Sequence, residues 1–129
     1  MTEPRWLTST VVLAIHTDQT ETHGGSLGLR DEGLLASALQ RSRNRFHYEP
    51  NSHIHALAAA YGFGIAQNHP FIDGNKRVAF QAMYVFLGLN GYSIDASEES
   101  IVALMLSVAS GEMTEPQLTT WLEQNTVPR

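Results

Sequence analysis

The chain has no cysteine, which excludes disulfide scaffolds, thiolate zinc sites and cysteine nucleophiles. Charge is sparse, and lysine occurs once, at Lys76. No long hydrophobic run is present. The greasiest stretch, Val78 to Leu89, is interrupted by Gln81 and falls short of the roughly 20 apolar residues that a membrane span needs. It reads instead as a buried core helix. The start, Met1-Thr2-Glu3-Pro4-Arg5, lacks a basic segment followed by an apolar one, so no signal peptide is expected and the cytoplasm is the expected compartment. Repeats, low-complexity tracts and Pro/Gly/Ser-rich linkers are also missing. One domain over residues 1–129 is therefore expected, long enough to bury a real core.

A net charge of -5 argues against a general nucleic-acid binder, which needs a cationic face. The cations gather in two places, Arg41, Arg43 and Arg45 in one and Lys76 with Arg77 in the other. An acidic chain that concentrates its cations in this way suits a local anion. The arginine run reads equally well as a solvated helix end.

Apolar spacing is helical nearly throughout. Thr8 or Ser9 caps a first helix carrying Val11, Val12 and Ile15, which ends before Gly24-Gly25. Asp31 caps a second, with Leu34, Leu35, Ala38 and Leu39 inward. Phe46 and Tyr48 alternate within Asn44 to Pro50, which predicts a short extended flap. A third helix opens at Asn51 or Ser52 and runs to about Gln67. Its small residues, Ala58-Ala59-Ala60 with Gly62 and Gly64, suit close approach of the fourth helix, which spans Asn75 to Asn90 with Gly91 as cap. Asp95-Ala96-Ser97-Glu98 has capping-box form, and Thr114-Glu115-Pro116-Gln117 opens a last helix. The expected fold is a compact all-α domain of about six helices with at most a short hairpin.

Residues 69 to 77 join two apolar helices by a loop, His69-Pro70-Phe71-Ile72-Asp73-Gly74-Asn75-Lys76-Arg77. A helix starting near Asn75 presents unpaired N–H groups and the positive end of its dipole. Such a start binds anions, and Gly74 lets a phosphate approach the backbone closely. Lys76 and Arg77 add full charge, and Asn75 can donate its amide. Asp73 would repel phosphate directly, but fits if magnesium bridges the two. The His69 imidazole can take a proton from an attacking hydroxyl. Together these groups describe a phosphoryl- or nucleotidyl-transfer site.

The loop resembles the signature of the Fic/Doc family, His-Pro-Phe-x-Asp/Glu-Gly-Asn-Gly/Lys-Arg, at all eight defined positions. Gly24-Gly25, Gly28-Leu29-Arg30-Asp31, Leu34-Leu35 and Ser37-Ala38-Leu39 are similar to the upstream half of death-on-curing (Doc) type toxins. Asn68, Phe86-Leu87 and Asn90-Gly91 fit as well, so the resemblance covers roughly residues 10 to 95. It implies a helical Fic-type bundle, with His69 as general base and Phe71 anchoring the loop in the core. Asp73 would hold Mg2+, and Gly74, Asn75, Lys76 and Arg77 would bind the phosphates of an ATP co-substrate.

Within that family, AMP-transferring members usually have glycine at position 76 and an arginine three residues after Arg77. This chain has Lys76 and Phe80 there. Both departures resemble the Doc branch, in which the γ-phosphate is transferred; Gly74, where Doc has alanine, leans the other way. The resemblance implies phosphorylation of a protein hydroxyl on elongation factor Tu, with inhibition of translation, and silencing by a small cognate antitoxin. The alternatives are an AMP-transferase and a toxin-like binding module without turnover. Thr17-Asp18-Gln19-Thr20-Glu21 lacks the end of the family's inhibitory motif, so inhibition is expected from another chain.

Other histidines read blandly. His53 and His55 alternate, which on a helix points them apart and disfavours a shared metal. His16 reads as a structural, hydrogen-bonded histidine, and His23 and His47 as loop residues. Trp6 and Trp121 read as packing residues.

Overall fold

The computed structural model describes residues 3–129; Met1 and Thr2, where the expectation about a leader begins, lie outside the described residues. Six helices form: α1 (Ser9–His23), α2 (Glu32–Tyr48), α3 (Ile54–Asn68), α4 (Asn75–Leu89), α5 (Glu98–Ser110) and α6 (Glu115–Gln124). Two short strands, β1 (Tyr92–Ile94) and β2 (Thr126–Pro128), pair antiparallel with Ser93 opposite Val127. No helix among the described residues is long and apolar enough to cross a membrane.

The caps explain most boundaries. Thr8 accepts from the Val11 N–H, Asp31 from Leu34 and Thr114 from Gln117, whose side chain returns the bond in a full capping box. Ser97, rather than Asp95, caps α5 by accepting from Ser100. α3 begins two to three residues later than its sequence signals, behind His53, which supplies no side-chain cap.

α3 is apolar all round and is buried on nearly every face, so it forms the centre of the bundle. It packs on α2, α4 and α6, while α1 lies against α4. Its two glycines serve different neighbours. A Cβ on Gly62 would collide with the Met83 side chain of α4, as expected. A Cβ on Gly64 would lie 3.2 Å from the Ala38 backbone, so this glycine serves the α2 crossing instead. Two polar ties enter the core: Leu7 donates its N–H to the Tyr61 hydroxyl, and Ser42 donates to the Leu57 carbonyl.

The flap expected at Asn44 to Pro50 is absent, because α2 continues to Tyr48. Arg41 and Arg45, four apart and so on one helix face, both reach Glu115 of α6. That shared partner requires helical spacing, and two alternating aromatics are too few to define a strand. Phe46 packs edge-on against Trp6, whereas Tyr48 is 81% exposed. The small amount of strand lies instead at β1 and β2, which bracket α5 and α6. His47 is helical, and His23 is the last residue of α1 rather than a loop residue.

Candidate active site

The residues 69–77 loop leaves α3 and enters α4 in six residues, so its shape is closely dictated. His69 ends α3 in the left-handed region, with φ 49 and ψ 56. It is the one described non-glycine residue with positive φ, a conformation that costs an L-residue about 1 kcal/mol. Gly74 precedes α4, also left-handed at φ 81, where glycine pays no Cβ penalty. Phe71, expected as the anchor, is 1% exposed and lies in the hydrophobic core.

Asn75 departs from expectation. Its amide was assigned to phosphate, but Oδ1 accepts from the Phe71 N–H and Nδ2 donates to the Phe71 carbonyl, at 3.0 and 2.9 Å. The side chain is buried and tied to the loop, so Oδ1 and one Nδ2 N–H are already engaged by Phe71. No side chain caps α4, which leaves the N–H groups of its first turn open to an anion.

The remaining groups converge on one cavity of about 360 Å³, lined by His69, Ile72, Asp73, Gly74, Asn75, Lys76 and Arg77. His69, Asp73, Lys76 and Arg77 are all exposed. Among the described residues, ion pairs join only Arg41 and Arg45 to Glu115, so Lys76 and Arg77 remain uncommitted. Arg43 lies over the Trp6 ring, so the whole arginine cluster is engaged within the fold. Phe80 is nearly buried and faces Tyr84, with no polar group to offer.

Asp73 Oδ1 accepts from the Gly74 N–H at 2.8 Å. The other oxygen, Oδ2, lies where a Cβ on Gly25 would come within 2.7 Å, so the glycine makes room for the carboxylate. Asp73 is the one carboxylate lining the cavity, and no group of three or more candidate ligands occurs among the described residues. That donor set does not form a cage for a resident metal. It fits a magnesium ion that arrives with phosphate oxygens and keeps its waters.

Two residues outside the motif shape the loop. His16, 4% exposed, stacks on Phe71 at 4.1 Å between centroids, and its Nε2 lies 3.0 Å from the Asp73 carbonyl. Because a carbonyl only accepts, Nε2 carries the proton. The structural reading of His16 therefore holds, at a place that matters for Asp73. Arg30 donates from Nε to the His69 carbonyl and from its terminal nitrogen to that of Asn68. The Arg30 and Asp31 N–H groups both reach the Pro70 carbonyl, and Ile72 donates to Gly28. For Arg30 the only sequence signal was its place in the glycine-rich segment upstream.

A helical bundle that turns an uncapped helix start, two uncommitted cations, a carboxylate and an imidazole into one cavity has the Fic-type architecture. Residues 6–87 match the model of the Fic/DOC family, and the chain belongs to it. It is 30% identical over 103 residues to "Protein kinase doc" of Escherichia phage P1, covering 80% of this chain and 81% of that one. Over 74 residues it is 38% identical to "Toxin Doc" of Mycolicibacterium smegmatis, covering 57% of each. Within the family the chain falls with the Doc-type toxins.

Proposed function

We propose that this protein transfers the γ-phosphoryl group of ATP to a hydroxyl of a protein target in the cytoplasm, and so inhibits translation. The observation that carries this is the single cavity shared by His69, Asp73, the open start of α4, Lys76 and Arg77. In the proposed step the target hydroxyl oxygen attacks the γ-phosphorus and loses its proton to the His69 imidazole. The bond from phosphorus to the bridging oxygen breaks, and ADP leaves with that electron pair. Lys76, Arg77 and the first-turn N–H groups of α4 hold the phosphate oxygens as charge shifts to the leaving group. Asp73 would hold Mg2+, which neutralises phosphate charge when bound.

Transfer of the γ-phosphate rather than AMP is favoured by Lys76, whose side chain takes up part of the anion pocket. It is favoured also by Phe80, which supplies no second phosphate ligand. The phage P1 relative bears the name of a protein kinase. Elongation factor Tu is the proposed target, and a small antitoxin the proposed partner. An apolar cavity of about 520 Å³ adjoins Lys76 and Arg77 and includes Val102 and Leu106, which are 55% and 54% exposed. We place the antitoxin contact there.

Incubation with elongation factor Tu and ATP labelled on the α- or the γ-phosphate separates the readings. Protein labelling from γ alone, lost in His69→Ala, is the expected result. Labelling from α alone establishes AMP transfer, towards which Gly74 leans. No labelling from either position leaves a binding module.

A further inference from the structure

The end of α3 has an unusual closing problem. When a helix ends on a left-handed residue, the next N–H ordinarily bonds back to a carbonyl of the last turn. Here the left-handed residue is His69 and the next is Pro70, which has no N–H. His69 itself donates to the Ile65 carbonyl, but the later carbonyls need donors from elsewhere.

Arg30 supplies them. Its Nε lies 2.8 Å from the His69 oxygen and its terminal nitrogen 3.0 Å from the Asn68 oxygen. Its backbone N–H lies 2.7 Å from the Pro70 oxygen. One residue therefore binds three successive carbonyls, and its guanidinium puts a cation at the negative end of the α3 dipole. The planar fork suits two adjacent acceptors, a geometry that lysine cannot reproduce. Arg30 is solvent-exposed and lies outside the cavity lining, and its guanidinium is engaged by the two carbonyls.

We propose that Arg30 is a positioning residue for the reaction: it holds the His69 backbone left-handed and so aims the imidazole at the incoming hydroxyl. This rests on the reading of His69 as general base. The closure depends on donor geometry, since the bonds fix a backbone conformation that His69 would otherwise leave. A small displacement of a catalytic group is costly, on the order of 100-fold for 1 Å.

The test uses the full chain with Arg30→Ala and Arg30→Lys. It measures kcat and KM for ATP in the labelling reaction, thermal unfolding, and the His69 Cα and Cβ chemical shifts. Arg30→Ala should lower kcat at least tenfold, leave KM for ATP within about twofold and remove the left-handed shift signature, while the protein stays folded. Arg30→Lys should recover less than half of the lost rate. A raised KM with kcat unchanged, full recovery by lysine, or unchanged His69 shifts overturns the proposal. If the wild-type protein labels nothing, the general-base reading falls and the catalytic part of this proposal falls with it. The chemical shifts still decide whether Arg30 holds His69.

Discussion

His69 is exposed, so its imidazole is free for chemistry, yet its backbone is held where an L-residue is strained. The strain is separable from the ring. Glycine at this position removes the Cβ penalty, whereas alanine keeps it and removes the imidazole equally. His69→Gly should therefore be more stable than His69→Ala by about 1 kcal/mol, and both should lack transfer activity. Urea unfolding of the two variants measures the difference; equal stabilities would mean that the left-handed conformation carries no penalty. Neighbouring residues show what the sequence made legible here. Lys76 and Arg77 were identifiable as available cations because each sits at a helix start with charge to spare. The tie from the Asn75 amide to Phe71, four residues earlier, was not legible, because that bond is visible only once the loop has folded back. Arg30 is legible only as part of the upstream resemblance and without a role, because its partners lie 38 and 39 residues away.

Helix boundaries were legible at Asp31 and Thr114, where a polar cap opens the element and the signal and the bond are three residues apart. They were less so at α2's far end, where Phe46 and Tyr48 suggested alternation and the deciding contact comes from α6. Glu115 bonds Arg41 through one carboxylate oxygen and Arg45 through the other. Its side chain is only 12% exposed, so this network is worth more than a surface pair. Removing the carboxylate also strands Arg45, whose Nε is already buried without a partner. Glu115→Ala is expected to destabilise the fold by about 1 to 2 kcal/mol, and Glu115→Gln by less. Urea unfolding in low and high salt checks this. A loss below about 0.5 kcal/mol would show that the far end of α2 is fixed by packing, that of Phe46 on Trp6 included, rather than by this network.

At the scale of the whole molecule, the end of the chain is fastened to the start of the central helix. β2 pairs with β1, and the Thr126 hydroxyl of β2 lies 2.7 Å from His55 Nε2 on α3. Alternation was expected to separate His53 and His55, but His53 precedes the helix in extended conformation, so the two Nδ1 atoms meet at 2.9 Å. That contact needs one proton between two nitrogens and tolerates no second. Burial holds the His55 pKa below its ordinary 6.5, and the His53 charge lowers it further, against a smaller opposing pull from Glu123. Tyr92 covers the ring from β1. A depressed histidine pKa means that, as pH falls through 6.5, the unfolded chain takes up a proton that the folded chain refuses. This contribution is fully present above that pH and is lost on acidification, until the folded group also protonates. His55→Gln keeps a donor towards Thr126 and abolishes the titration. The wild type should lose stability between pH 7.5 and 5.5, and the variant, weaker at pH 7.5, should lose less, because other titrating groups are common to both. Urea midpoints measured across that window decide it. Parallel losses would assign the acid sensitivity to groups elsewhere and leave the His55 contact as a pH-independent tie between α3 and β2.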